Sequence, residues 1–304
     1  MYLGSVVGCF VIHNLTNGES FSHLFSVMTT TEIISLITSV LIVGVPFPLL
    51  PLHLGYSVSK TNFTWKKNIH WPKNGWGIFV GLVFFTISAG CVVVADYQLY
   101  ETAEYLKMFN TFSKLFHFLP FFYLCLSSFL IASWVTFIND EVSAVKASEC
   151  PKLHQVKNCV SQYECFGEGF SSTFLLIFAV SQILGTFSIF RAVSQLLDWK
   201  ETLIFFQNTF LAFGLMINTF TLASILDDVH KNLLSLCKVL DRIYTETEDR
   251  KEEKFVRILK DEILQTGPMT AMGFFDIDRS TITAMGSFTA TYIVILLQFR
   301  IGEK

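Results

Sequence analysis

Apolar residues along this chain gather into six long runs that hold no Asp, Glu, Lys or Arg, at 33–54, 76–95, 116–138, 171–190, 202–226 and 280–299. Each is about 20 to 25 residues long, the length a helix needs to cross a hydrocarbon core of roughly 30 Å. A helix satisfies every backbone group within its own segment, so helices are predicted for all six. Any one run could be a core helix of a soluble protein. Six in one chain point to an all-α polytopic membrane protein with six clear transmembrane helices. Pro46, Pro48 and Pro51 are expected to kink or unwind the first run. Residues 1–12 are apolar but too short to span, and no Lys or Arg precedes them as in a signal peptide. They read either as an interfacial segment or as the tail of a further span.

Composition agrees with the pattern. Of the 304 residues, 52% are hydrophobic and 15% are charged, against about 25% charged in a soluble domain. The net charge of −3 decides little, but the placement of charge decides orientation. Sixteen of the 22 Lys and Arg lie in the loops after the first, third and fifth runs. Basic loops stay in the cytoplasm, so these three loops are expected inside and the C-terminal tail outside. A G-protein-coupled receptor has its tail inside. With this orientation the sequon at Asn14 falls outside, a candidate glycosylation site, and the one at Asn62 falls inside.

The last basic loop carries its own pattern. Leu226, Val229, Leu233, Leu236, Leu240 and Ile243 recur at spacings of three and four, which predicts a helix continuing out of the fifth run. The charged stretch 246–254 interrupts it, and a second helix is predicted over 255–264. Such a stripe either packs on its own chain or meets a neighbouring subunit. Gly267-Pro268 then breaks the helix, and Asp276 and Asp278 are candidates to cap the last run.

That last run ends in Thr291-Tyr292, five apolar residues, then Gln298-Phe299, close to the end of the chain. The string TYIVILLQF resembles the TYhhhhhQF signature that closes insect gustatory receptors, where h is hydrophobic. The preceding GFFDIDRS at 273–280 is similar to the family too. The rest of the chain resembles it in span pattern and loop charge only.

The resemblance implies a seven-span, tastant-gated, non-selective cation channel acting as a tetramer, with a cytoplasmic N-terminus and the last span of each subunit lining one pore. The six spans here would be spans two to seven, and the chain is then read as N-terminally incomplete. The resemblance divides a single transmembrane helical domain, 1–304, into a cytoplasmic anchor at 227–279, with Leu233, Leu236, Leu240 and Ile243 as subunit contacts, and a pore-lining span at 280–299. It puts Gln298 and Phe299 at the outer gate, with Leu296 or Ile295 as apolar neighbours. Thr291 and Tyr292 are read as supports of the pore helix. Four amides at a pore mouth can solvate a partly dehydrated cation, and an apolar ring can close a pore by dewetting. Taken alone, Gln298 reads as an interhelical hydrogen-bonding group worth about 0.6 kcal/mol.

Polar and aromatic groups inside the spans are the candidates for a tastant pocket: Gln182, Gln207, Asn208, Asn218, Tyr123 and Trp134. Each also reads as ordinary interhelical packing. Cys150, His154, Cys159 and Cys165 fit no common zinc spacing, so no metal site and no cofactor are expected. No phosphate loop, nucleophile motif or catalytic carboxylate pair is present, and no surface suits a nucleic acid. The expected partners are a small-molecule tastant, permeant cations, the lipid bilayer and other gustatory receptor subunits, in the plasma membrane of a chemosensory neuron. The alternatives are a G-protein-coupled receptor, against the loop charges, and a transporter fragment. A coupled transporter usually places ionisable groups within its spans, and here there are none.

Overall fold

A computed structural model describes residues 75–99, 119–148, 151–198, 202–246 and 250–302. The predicted span at 33–54, its prolines, the segment 1–12 and Asn14 lie outside the described residues. Seven helices carry the described chain: α1 Trp76–Leu99, α2 Leu119–Ala147, α3 Leu153–Asp198, α4 Thr202–Leu234, α5 Leu236–Glu246, α6 Arg250–Gln265 and α7 Arg279–Gly302. Within them, α2, α3, α7 and the α4–α5 unit are long and apolar enough to cross a membrane, and α1 holds a shorter apolar stretch, Trp76–Cys91. The five predicted spans that fall in the described residues are therefore helical.

Two of these helices run far beyond their apolar runs. At a rise of 1.5 Å per residue, the 46 residues of α3 extend about 70 Å, more than twice a hydrocarbon core. The 18 residues of α3 that precede its apolar run, about five turns, form with α6 a layer beyond the apolar runs. The segment 139–170, read from sequence as a loop, is mostly helix: α2 continues to Ala147 and α3 begins at Leu153. On α3, Cys159 is buried and Cys165 exposed; Cys150 lies outside the described residues.

Helix α4 is the hub, packing on α1, α2 and α3. Against α1 the approach is glycine-mediated: a Cβ at Gly81 would stand 3.0 Å from the Gly214 carbonyl oxygen. Small residues let two backbones meet closely where lipid offers no hydrophobic drive. The core runs along α3, where Phe166, Phe170, Phe174 and Phe178 recur every fourth residue and are all buried. Phe166 stacks on Phe170 at 4.6 Å, and Trp134 of α2 meets Phe170 edge-on at 5.2 Å.

The stripe beyond α4 forms the predicted helix with one break. At Ser235 the chain turns, and the Ser235 hydroxyl bonds the Asn232 carbonyl at 2.5 Å. Leu233, Leu236 and Leu240 are fully buried in their own chain, and Ile243 packs on the same core. From α6, Val256, Leu259 and Ile263 face them. Lys260 joins Asp241 at 2.5 Å across the pair, and Tyr244 donates to Glu253 at 2.7 Å.

Between α6 and α7 lies a tight hairpin that the sequence pattern did not reveal. Ala271 and Ile277 donate to the carbonyls of Phe275 and Met269 at 3.0 and 2.8 Å. Met272 and Gly273 at its tip both have positive φ, 53° and 74°. Phe274 donates back to the Ala271 carbonyl at 3.0 Å, closing a turn with Met272 and Gly273 at its centre, and positive φ at both gives that turn the twist that suits a hairpin.

Candidate functional site

The last helix, α7, is set in place at three levels. At its start, Asp278 is the cap. Its Oδ1 accepts the Ser280 hydroxyl at 2.7 Å, the Thr281 backbone N–H at 2.8 Å and the Thr281 hydroxyl at 3.0 Å. The Ser280 hydroxyl, with the Thr281 groups, holds the Asp278 carboxyl below the usual carboxylate value. Asp276 does not cap; its carbonyl accepts the Thr281 hydroxyl from the hairpin. Arg279 reaches back to α4, 2.7 Å from Asp228 and 3.3 Å from Asp227. Asp227 is nearly buried and also holds Lys231 at 2.5 Å. Beside this pair Tyr163 of α3 donates to the Gly267 carbonyl at 3.3 Å, with His230 Nδ1 3.2 Å away.

At mid-height the tie is to α3. The Gln182 amide donates to the Thr289 hydroxyl at 2.9 Å and to the Met285 carbonyl at 3.1 Å. Thr186 stands 3.3 Å from the same Thr289 hydroxyl. Next to this clasp, α3, α4 and α7 border a half-open, largely apolar groove of about 350 Å³, with Phe213, Met216 and Phe220 about half exposed.

Above the base, α7 covers only a narrow strip of itself. Ile282, Met285, Thr289, Ile293 and Leu296 are partly covered, at the spacing of one helix face. Thr283, Ser287, Thr291, Val294 and Gln298 are exposed. At 3.6 residues per turn they fall within an arc of about 80° on the side facing away from the bundle. This uncovered strip therefore bears three hydroxyls and one amide in a helix of membrane-spanning length. None of the apolar window of α7 is buried, against 50–67% in the three other spans.

A sequence profile of 7tm chemosensory receptors matches residues 59–303. The chain belongs to that family. No curated protein matches it. Among solved structures, the insect olfactory receptor OR5 from Machilis hrabei superposes with a TM-score of 0.54 at 13% identity, over 96% of this chain and 85% of that one. The same receptor in complex with eugenol gives 0.52 at 15% identity, over 84% and 70%. At these identities the likeness shows the fold: a polytopic bundle of an insect chemosensory receptor.

In this chemosensory receptor the residues singled out from sequence separate into three groups. Thr291, Tyr292, Ile295 and Gln298 are exposed on α7. Phe299 is helical, but its side chain lies outside the description. Leu296 sits on the opposite, partly covered side, so Ile295 and Val294 are the apolar residues next to Gln298 on the open face. Among the described residues Thr291 binds no other helix through its hydroxyl, which donates to the Ser287 carbonyl at 2.9 Å.

The pocket candidates do not converge. Trp134 is a core residue against the Phe ladder, and Tyr123 packs partly buried on the same core. Asn208 spends its amide on the Ile204 carbonyl at 2.8 Å. Gln207 receives Ser88 of α1 through its backbone carbonyl at 2.8 Å. Asn218 donates to Ser128 at 3.0 Å, an α2–α4 tie. Gln182 alone touches α7. The residues missed were Thr289, Thr186 and Arg279, whose roles depend on neighbours that spacing does not reveal. Leu233, Leu236 and Leu240, expected at a subunit contact, are spent within their own chain. The large apolar groups left open in that layer, among the described residues, are Phe255, Ile258 and Leu264 of α6 and Met272 and Phe274 of the hairpin.

Proposed function

We propose that this chemosensory receptor is a gustatory receptor subunit: a tastant-gated, non-selective cation channel that acts as a tetramer in the plasma membrane, with α7 of each subunit around one pore. The polar strip on the uncovered face of α7 carries the reading. A helix facing lipid on that side would gain nothing from Thr283, Ser287, Thr291 and Gln298. Four copies facing a shared axis would line a wet path with hydroxyls, and Gln298 would offer four amides near its mouth. Val294 or Ile295, beside Gln298, would supply the apolar ring that closes the path by dewetting.

The C-terminal TYIVILLQF favours a gustatory over an olfactory receptor. The basic loops favour a cytoplasmic side that holds α5, α6 and the hairpin, and an outer side that holds the C-terminus. In that layer Leu233, Leu236, Leu240 and Ile243 build the anchor from within. The exposed Ile258, Leu264 and Phe274 are then the groups that meet a neighbour. OR5 was solved with eugenol, and a small tastant is the corresponding ligand here. Gln207, Asn208, Tyr123 and Trp134 would shape its pocket through packing more than through direct contact.

Cysteine scanning of α7 in the full chain, with currents recorded under a tastant panel, tests this. A charged thiol reagent applied during open-state current is expected to block Thr291→Cys and Gln298→Cys, and to spare Ile293→Cys and Leu296→Cys. Block without that periodicity would sink the pore assignment.

A further inference from the structure

We propose that the groove between α3, α4 and α7 is a binding site for a small, mainly apolar alcohol or phenol, which takes the Ser181 hydroxyl as its polar anchor directly behind the last helix.

Three observations converge there. The first is size: about 350 Å³ lies within the range of small-molecule sites, roughly 300–1,000 Å³. At interior packing density it fits a molecule of roughly 12 to 15 non-hydrogen atoms. Its walls include Phe213, Met216 and Met285, and two glycines leave it open. A Cβ at Gly185 or Gly286 would meet nothing within 4 Å.

The second is an unmet hydrogen bond. Hydroxyls inside spans usually bond the carbonyl four residues back, as Thr186 and Thr219 do here at 2.8 and 2.6 Å. Ser181, only 4% exposed, lines the same groove, and its hydroxyl, sealed from solvent, has no partner among the described residues, so an occupant meets it once the hydroxyl turns toward the groove. A buried polar group left unsatisfied is destabilising, because it has given up water without a replacement partner. A ligand hydroxyl supplies that partner; a saturated acyl chain does not.

The third is position. The groove shares Gln182, Met285 and Thr289 with the clasp that ties α3 to α7. An occupant with its hydroxyl at Ser181 stands next to that clasp and bears on the helix that carries the open polar strip. The consequence for conduction rests on the pore reading above. Binding does not.

The test is photolabelling of the purified full chain in lipid nanodiscs with 4-hydroxybenzophenone, and in parallel with unsubstituted benzophenone. On irradiation the ketone abstracts hydrogen from a nearby C–H, with a preference for methionine, and the two radicals join. The expected result is saturable labelling of Met216 or Met285, mapped by peptide mass spectrometry. Gly185→Leu, which fills the groove, is expected to cut it at least tenfold. Ser181→Ala is expected to lower the preference for the phenol over benzophenone roughly fivefold, the worth of one hydrogen bond.

Labelling spread evenly over lipid-facing residues, or unchanged by both variants, would overturn the proposal. So would equal labelling by the two probes, which would mark a niche for a lipid chain only. Should Gly185→Leu not yield a monodisperse protein, the one-atom change Ser181→Ala carries the test. Intact labelling with no block of current in the cysteine scan would remove the pore reading and leave the site standing. Blocked currents without labelling would do the reverse.

Discussion

Arg279, the first residue of the last helix, lies 2.7 Å from Asp228, fifty-one positions earlier on α4. It also approaches Asp227 at 3.3 Å, so one guanidinium closes the base of α7 onto the hub of the bundle. The two carboxylates differ in burial, and this sets the size of the effect. Asp228 and Arg279 are largely exposed, so their pair is screened. Asp228→Ala is expected to cost less than about 1 kcal/mol. Asp227 is 8% exposed and serves both Arg279 and Lys231. Its loss removes a buried carboxylate shared by two cations that are themselves more than half exposed, and Asp227→Ala is expected to cost about 1–2 kcal/mol, more than Asp228→Ala. Thermal melting of the detergent-purified chain, followed by size-exclusion fluorescence, measures both. Equal losses would contradict the burial argument.

Asp278 makes α7 sensitive to acid. Its folded carboxyl is held down by the Ser280 hydroxyl and then by Thr281, below an ordinary value of 3.8. A depressed carboxylate contributes stability that is fully present above the unfolded value and is lost as pH falls through the folded one. The contribution is thus intact at pH 7 and fades below about pH 4. Asp278→Ala is expected to cost about 1 kcal/mol at neutral pH, the usual worth of an N-cap. The variant should lose the acid-dependent part of its melting curve. A wild type and a variant with parallel pH profiles below pH 5 would rule the cap out as its source.

The α1–α4 seam sets a steric limit. A Cβ at Gly77 would fall 1.8 Å from the Thr221 hydroxyl, and one at Gly81 would fall 3.0 Å from a backbone oxygen. Thr221 Cβ, fixed to its backbone, would also stand 2.9 Å from a Cβ at Gly77, so no rotamer change relieves that contact, and at Gly81 the neighbour is a helix carbonyl. Gly77→Ala and Gly81→Val are each expected to cost about 1–3 kcal/mol through forced separation of the helices. Unchanged melting temperatures in both variants would contradict the close approach.

Should α7 line the pore, the outer end of its polar strip sets permeation. Gln298→Glu adds one carboxylate per subunit at the mouth and is expected to raise cation permeability. Gln298→Lys is expected to depress it, by field alone. Leu296→Lys, on the covered side, should instead fail to reach the surface. Unit conductance and surface biotinylation separate these outcomes. Identical conductance across the two Gln298 variants would remove that residue from the mouth.

How much of this was legible depended on whether the signal was local. Uncharged length placed α1, α2, α3, α4 and α7, and spacings of three and four foretold the helix beyond α4. The long extension of α3 was hidden because Lys157, Glu164 and Glu168 break the apolar run without breaking the helix. The hairpin was hidden because Met272 is an unusual residue to hold positive φ. The stripe at 233–243 reads the same whether its partner is its own chain or another one. Only the fold assigns it to Val256, Leu259 and Ile263. Gln182 was found as a polar group inside a span, but its partner Thr289 lies 107 positions away, and no spacing rule connects them.

That Gln182–Thr289 contact yields a separable prediction. Gln182 gives two hydrogen bonds to α7, one to a side chain and one to the Met285 backbone, while Thr289 also faces Thr186. Thr289→Val removes a hydroxyl and leaves the backbone bond in place. Gln182→Met removes both bonds and keeps the volume. In a membrane such bonds average about 0.6 kcal/mol, because the alternatives are also partly satisfied. The first variant is therefore expected to cost about 0.6 kcal/mol and the second about twice that. Their double variant should cost no more than Gln182→Met alone within about 0.5 kcal/mol, since the shared bond can be lost only once. Full additivity in a double-mutant cycle on melting temperature would mean that the two side chains do not meet, and that α7 is held against α3 by packing alone.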